Sequence, residues 1–554
     1  LVTRRADHRS VTRETRACHL EPLRRAPVEM KETMVVVMTT RRGFVAAAAG
    51  VAAGHTLGFP AIGQARRPRL RVGAQGLPDS LEPINAISNT GNRITNALFD
   101  TLIHRDFFSK ADGTGADLKP GLAESWERES DRSLLVTLRR GVKFHNGQEM
   151  TAEDVAFTFS EQRLWGEKPM VPRGPLFSAA FDEPQVLDKY RVRIRTKGPD
   201  VSLEKRLASW VAWVVPKEDY LAKGAEKFGL NPVGTGAFRF GSFKSGDQVE
   251  LEANDEYFRG RSNVSGVVFF AVPESSTRLA GLISGEYDIV TTLAPDTLDV
   301  LRRYTDLEPR GIAIENVHLI VHQCDNPVLQ DKRIRQALNA AIDRDLMNRT
   351  IWRGLAIVPN GFQFPHYGAA YDADRPKLRF DPELARRLLQ EAGYRGERIT
   401  YRTLPNWYAN AMPAAQMLQQ FWKAVGVNAE IEVRENWGQV LSAGLMVRNW
   451  SNGIQMADPV TPLTTDWGPR GAIQTSSKWA APAEYNQLIE QIRATPDGDE
   501  RRRQFQRLQD IWEDEAPGTI LYRPYELYAA RKSINWKPVS FEFMDLRPYN
   551  LAFA

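Results

Sequence analysis

Cysteine is almost missing from this sequence: its 554 residues include two, Cys18 and Cys324. Cys18 falls in a leader-like segment, so Cys324 has no internal partner and a disulfide scaffold is excluded for the body. Such a chain suits the cytoplasm, and equally a protein exported already folded. Long apolar runs are missing too. The Ala-rich stretch from Val45 to Ile62 is broken by Gly54-His55 and Pro60, which argues against a membrane span. Nor is there a basic domain. Residues 1–33 hold eight Lys/Arg against five Asp/Glu, and residues 34–65 add Arg41 and Arg42 with no acid. The net charge of +5 is thereby used up, and residues 66–554 are neutral. A nucleic-acid footprint is therefore absent. Catalytic signatures are absent as well: there is no HExxH, GxSxG, CxxC or EF-hand loop. The stretch Asn231 to Phe238, NPVGTGAF, lacks the Lys-Ser/Thr of a phosphate loop and the third glycine of a dinucleotide fingerprint. Its Gly234 and Gly236 read instead as permitting a tight crossing between strands.

The leader has a definite order. Residues 1–33, which open on Leu1, are Arg-rich and without apolar period, and are expected to be a non-native or disordered upstream extension. Met30, Met34 or Met38 is the better start. Thr40-Arg41-Arg42-Gly43-Phe44-Val45 resembles a twin-arginine export motif, followed by the Ala-rich stretch and by Gly63-Gln64-Ala65, a small-residue cleavage pattern. We expect residues 34–65 to be a twin-arginine signal peptide. No Cys follows the apolar run, so no lipid anchor is expected, and the mature chain starts near Arg66.

The body interleaves strand and helix patterns without a repeat. Leu70 to Ala74 alternates as a strand, and Asn92 to Ile103 reads as a helix. Leu134, Val136 and Leu138 alternate with Leu135, Thr137 and Arg139, the pattern of a half-buried strand. Asn146-Gly147 is a tight-turn signal. Thr151-Ala-Glu-Asp154 has capping-box form ahead of a helix whose face is Ala152, Val155, Ala156 and Phe159. Trp210 and Trp213 read as core. Asp381-Pro382 starts a helix that stops at Gly393. Further helices are expected over 414–424 and 501–513, with strands over 427–433 and 519–522.

Several of these segments carry a resemblance. GVKFHNG at 141–147 and Thr151-Ala-Glu-Asp-Val155 look like the signature of family 5 extracellular solute-binding proteins, the dipeptide and oligopeptide group serving ABC importers. Lys119 to Trp126, Asn231 to Phe238, Asn254 to Gly260, Gly285 to Asp288 and Asp331 to Arg344 resemble further elements of that family. The resemblance spans nearly all of residues 70–550. It implies an α/β fold: a two-lobed periplasmic binding protein (type II, cluster C-like) with mixed sheets and an extra subdomain in the first lobe. The expected division is lobe I from 66–95, 216–315 and 517–554, the extra subdomain from 96–215, and lobe II from 316–516.

The same resemblance implies a soluble periplasmic receptor, monomeric and without catalysis or cofactor. It would capture a peptide or similar small polar solute and deliver it to an ABC permease in the inner membrane. A receptor for a saccharide, opine or metal chelate is the alternative, and a periplasmic hydrolase the alternative from another class. Peptide-binding members place an Asp three residues before an "Asp-Pro" or "Glu-Pro"; here that position is Gln455, ahead of Asp458-Pro459. Gln accepts a hydrogen bond from an ammonium but supplies no counter-charge. Trp407, Tyr408, Trp437, Trp450 and Trp467 complete the candidate ligand contacts, as aromatics in or beside loops rich in Asn, Gly and Pro. His318, His322 and Cys324 share one side of a strand, H-x3-H-x-C, and form a weak metal candidate beside the reading that they are packed side chains. His145 reads as scaffold.

Overall fold

The computed structural model describes residues 67–554, apart from Asn406, Trp407 and Gln455 and the side chains of Pro462 and Thr464. Arg41, Arg42, the expected extension and the expected signal peptide lie outside the described residues. Three larger sheets organise the body. The first has seven strands in the order Leu307–Ala313, Tyr525–Arg531, Ile289–Val290, Arg69–Ala74, Gly266–Ala271, Gln248–Ala253, Phe238–Lys244. Arg69–Ala74 runs parallel to both its neighbours, and the outer pairs are antiparallel. The second has five strands in the order Ala429–Val433, Ile399–Thr403, Val447–Gly453, Asn316–His322, Gly518–Tyr522. The third is a four-stranded antiparallel sheet in the order Ala123–Ser130, Ser133–Leu138, Arg191–Thr196, Phe181–Asp188.

Burial follows the sequence pattern. Along Ser133–Leu138, Leu134, Val136 and Leu138 are buried and the residues between them are not. These side chains join Leu70, Val72 and Val249 of the seven-stranded sheet in one continuous core, so the four-stranded sheet is an annex of the first lobe. Asn316–His322 is buried at every residue, as a central strand covered on both faces must be. Ile320 faces a core built on Leu338, Leu418 and Trp422. Val317, Leu319 and Val321 face a core built on Trp467, Trp479 and Trp512.

Local signals land close to where the residues place them. The helix Ala152–Thr158 opens with the Asp154 carboxylate accepting from the Thr151 backbone N–H at 2.9 Å. Trp210 and Trp213 are buried. Asp381 caps its helix by accepting from the Leu384 N–H at 3.0 Å. Gly234 and Gly236 allow a close crossing, though against the end of a helix. A Cβ on Gly236 would stand 2.3 Å from the Ala97 carbonyl oxygen, and one on Gly234 would stand 2.1 Å from that of Leu98. That crossing also explains a difference. The helix expected over 92–103 ends at Leu98, where the Leu98 carbonyl accepts from the Gly236 N–H at 2.9 Å, and Ile103–Asp106 becomes a strand. A second difference concerns Gly518–Tyr522. It falls in the stretch 517–554 assigned to lobe I, yet pairs with Asn316–His322 in the five-stranded sheet.

Candidate functional site

Strands Ile399–Thr403, Ala429–Val433 and Val447–Gly453 run parallel, so their carboxyl ends emerge on one edge of the five-stranded sheet. The register places the chain crossovers on that same edge. Asn316 lies opposite Gly453, and Tyr522 lies opposite His318. The chain therefore passes between the two large sheets at Ile314-Glu315 and at Arg523-Pro524, beside the loops that follow the three strands. The Ile454 N–H donates to the Glu315 carbonyl at 3.0 Å, tying loop to crossover. In open α/β sheets the crevice outside the strand carboxyl ends is where ligands bind.

The opposite wall of the crevice comes from the first lobe. Arg105, Phe107, Lys205, Trp210 and Phe543 face Ile454, Met456 and Ala457 across a gap of about 380 Å³ that includes its mouth. The walls touch around it. Lys205 Nζ stands 3.1 Å from Asp458 Oδ2, and the Val201 N–H donates to the Arg493 carbonyl at 3.0 Å. At the crossover itself the buried Glu315 receives both Arg105 terminal nitrogens at 2.6 Å, the Ser540 hydroxyl at 2.8 Å and His366 Nδ1 at 3.2 Å. Burial alone would raise the Glu315 pKa. The Arg105 guanidinium overrides it, helped by His366 and Ser540, and holds the carboxyl at about 2.

The expected ligand residues separate into groups. Tyr408, Trp437 and Trp450 gather at the strand-end edge. The Tyr408 hydroxyl donates to Ser451 Oγ at 3.0 Å, and its ring lies 4.5 Å from that of His318. Trp437 meets Trp450 edge-on, with ring centroids 5.6 Å apart. Trp450 is half-buried, and its enclosed indole N–H has no acceptor among the described residues. Trp467 and Asp458 are committed elsewhere. Trp467 is fully buried, packs against Trp479 and Trp512, and donates to Asn452 Oδ1 at 2.8 Å. It is core, with no face for a solute. Asp458 is fully buried and held by Arg501 through both oxygens at 2.7 and 3.0 Å, besides its contact to Lys205. A carboxylate with two cations already bound offers little to a third. Trp407 and Gln455 lie outside the described residues.

The metal candidates are also engaged. His318 packs between the tilted rings of Tyr408 and Tyr522, and His322 Nδ1 lies 2.9 Å from the Ala516 carbonyl. Burial pushes both imidazoles down to about 3, which leaves them neutral, and the Cys324 thiol up to about 11, which keeps it protonated at neutral pH and disfavours the thiolate a metal needs. Among the described residues no cluster of three or more His, Cys, Asp or Glu converges on a metal position. His145 is scaffold in geometry: its Nδ1 accepts from the Gly234 N–H at 3.2 Å, and its Nε2 lies 3.1 Å from the Gly236 carbonyl.

One residue at this edge escaped the sequence reading. Arg448 is buried on strand Val447–Gly453, with its guanidinium 4.6 Å from the Trp450 ring centroid and its enclosed Nη1 without a partner among the described residues. Burial lowers its pKa to about 10 against the opposing pull of Tyr408 and Asp466. Alternation along the strand makes such a residue look solvent-facing, and nothing local in the sequence marks it.

Two lobes that share a pair of crossovers, with strand ends and a mostly apolar gap converging on the crevice between them, define a periplasmic-type binding protein. The chain belongs to the bacterial extracellular solute-binding proteins, family 5: residues 117–473 match that family's middle-region model. It is 28% identical over 451 residues to the dipeptide-binding protein of Escherichia coli K12, covering 75% of this chain and 82% of the relative. The same fold is seen in the dipeptide-binding protein from Pseudoalteromonas sp. SM9913 in complex with Met-Leu. That structure has a TM-score of 0.78 and 22% identity, and the match covers 88% of this chain and 100% of that one. It is seen again in the binding protein AgaA from A. tumefaciens R10 in complex with agropinic acid. There the TM-score is 0.77 and the identity 21%, covering 88% and 99% of the two chains.

Proposed function

We propose that this protein is the substrate-binding component of an ABC importer, which takes a peptide or similar small polar solute between its lobes and passes it to an inner-membrane permease. The observation that carries this reading is the convergence of both crossovers with the carboxyl ends of three parallel strands on one crevice. A solute there touches both lobes, and closure follows because it contacts the closed state better than the open one. Tyr408, Trp437 and Trp450 line the strand-end edge in this reading, with Trp407 and Gln455 beside them in sequence. The protein acts in the periplasm as a monomer, without catalysis, and reaches it by the twin-arginine route through Arg41 and Arg42.

A second reading concerns the solute. Gln455 supplies no counter-charge for a peptide ammonium, and Asp458 is spent on Arg501 and Lys205. That pairing favours an opine, saccharide or chelate over a simple dipeptide, and agropinic acid is the ligand named for one structural relative.

A thermal-shift screen of the purified chain tests both readings. A solute at a hundred times its Kd stabilises the folded state by about 2.7 kcal/mol. Shifts with di- to pentapeptides support the peptide reading, and shifts with opines or sugars alone support the second. No shift with any class sinks the receptor assignment. Turnover of a peptide by the pure protein would overturn the absence of catalysis.

A further inference from the structure

A second gap between the lobes, about 610 Å³ including its mouth, adjoins Met456. Helix Gly174–Ser178 of the first lobe forms one wall, and helix Ala483–Ala494 of the second lobe forms the other. Leu176, Phe177 and Ile489 give it an apolar lining, and its charged lining is Arg206, Arg470, Arg493 and Glu490.

The charges do not balance. Arg206 is neutralised by Asp200, with Nη2 at 2.8 Å from Oδ2. Glu490 is mostly exposed, and its contact to Arg493 Nη1 is 3.8 Å, beyond hydrogen-bond reach. Arg470 is exposed and has no hydrogen bond or ion pair among the described residues. Arg493 is largely buried, and its enclosed Nε has no partner. Burial first, then the field of Arg206 and more weakly that of Arg470, push its pKa down against the opposing pull of Glu490 and Asp200. One positive charge is left in excess in a space that closure shields from water.

We propose that this gap receives an anionic group of the solute, which makes the substrate class a carboxylate- or other oxyanion-bearing small molecule with an apolar portion beside Leu176 and Phe177. The assignment rests on the receptor reading above. Guanidiniums bind oxyanions through paired, charge-assisted hydrogen bonds. Closing over a neutral solute would shield that surplus positive charge from water with nothing to balance it, at a cost. Because Arg470 and Arg493 stand on the second lobe and Leu176 and Phe177 on the first, a solute with its anionic group on the guanidiniums and its apolar portion on the facing helix touches both lobes and favours the closed state.

Titration calorimetry on the purified full chain tests this. The probes are the C-terminal amides of Ala-Glu-Ala, Ala-Gln-Ala and Ala-Lys-Ala, so that only the Glu side chain carries an anionic group, together with glutarate and its neutral diamide. We expect each anionic probe to bind about 30-fold more tightly than its neutral analogue, the worth of one charge-assisted contact. The double variant Arg470→Gln/Arg493→Gln should cut that preference to about threefold while its melting temperature stays within error. Single Arg470→Gln, at an exposed position, guards against misfolding of the double variant and should lose part of the preference. Equal affinity for anionic and neutral probes, or a preference that survives both substitutions, overturns the anionic assignment and leaves the receptor reading standing. Absence of binding across all five probes overturns the anionic assignment, and the receptor reading is decided separately by the thermal-shift screen.

Discussion

Glu315→Gln is the substitution with the clearest calculable cost. Glu315 sits on the first crossover, 2% exposed, between the guanidinium of Arg105 and the imidazole of His366. Its backbone is tied to both sides, donating to the Ser540 carbonyl at 2.7 Å and accepting from the Ile454 N–H. A carboxyl held at about 2 instead of its ordinary 4.5 contributes about 3 kcal/mol to folding at neutral pH. An independent route gives the same size: the amide leaves the buried Arg105 without its counter-charge, which costs about 3–5 kcal/mol. The sign with pH follows from a depressed carboxylate. The contribution is complete above about pH 4.5 and is lost as pH falls toward 2. Urea unfolding followed by the fluorescence of the 13 tryptophans should therefore show the variant about 3 kcal/mol less stable at pH 7. By pH 3 the gap to wild type should fall below half of that. A loss under about 1 kcal/mol at pH 7, or a gap that does not narrow on acidification, refutes the reasoning.

Asp458→Asn should cost about 1.5–3 kcal/mol in the same urea assay, because Arg501, 1% exposed, loses its bidentate partner and keeps only Asp497. Lys205→Met should leave stability within about 1 kcal/mol, since Lys205 is 30% exposed, and should instead weaken solute affinity about threefold by removing one cross-lobe contact. Calorimetry with the solute found in the screen reads that difference, and an unchanged affinity would mean the contact does not favour closure. Gln455→Asp should raise affinity for free-amine peptides over N-acetylated ones about tenfold if the side chain meets the solute's ammonium. An unchanged ratio places Gln455 away from it. Gly236→Ala should lower stability by about 1–3 kcal/mol, because its Cβ meets the Ala97 carbonyl oxygen at 2.3 Å and the backbone must move. A melting temperature equal to wild type would show that the crossing gives way.

The parts legible in the sequence were those set by neighbours along the chain. The alternation at Leu134, Val136 and Leu138 needed no distant partner to be read, nor did the acid at Asp154 or the Asp-Pro start at residue 381. The candidate site was legible only as a region. Trp467 shares its local setting of Gly and Pro with pocket-lining aromatics, and what buries it is Trp512, 45 residues on. The partner of Asp458 is Arg501, 43 residues on, so an acid that resembled an anchor for a ligand is an anchor for the fold. Gly518–Tyr522 is a strand by composition, but which sheet takes it depends on a partner some 200 residues earlier. Long-range pairing of this kind leaves no periodic trace.

The two adjacent crossovers also make the second lobe an insertion in the chain of the first. Everything from Asn316 to Tyr522 is synthesised between two neighbouring strands of the seven-stranded sheet, Leu307–Ala313 and Tyr525–Arg531. The five-stranded sheet is complete once Tyr522 has emerged. The first lobe must wait for Tyr525–Arg531, which slots between Leu307–Ala313 and Ile289–Val290 and is the only partner of the former within the sheet. The lobe begun first is thus finished last. A truncation just after Tyr522 should leave the inserted lobe able to form while exposing an open seam in the lobe that carries it.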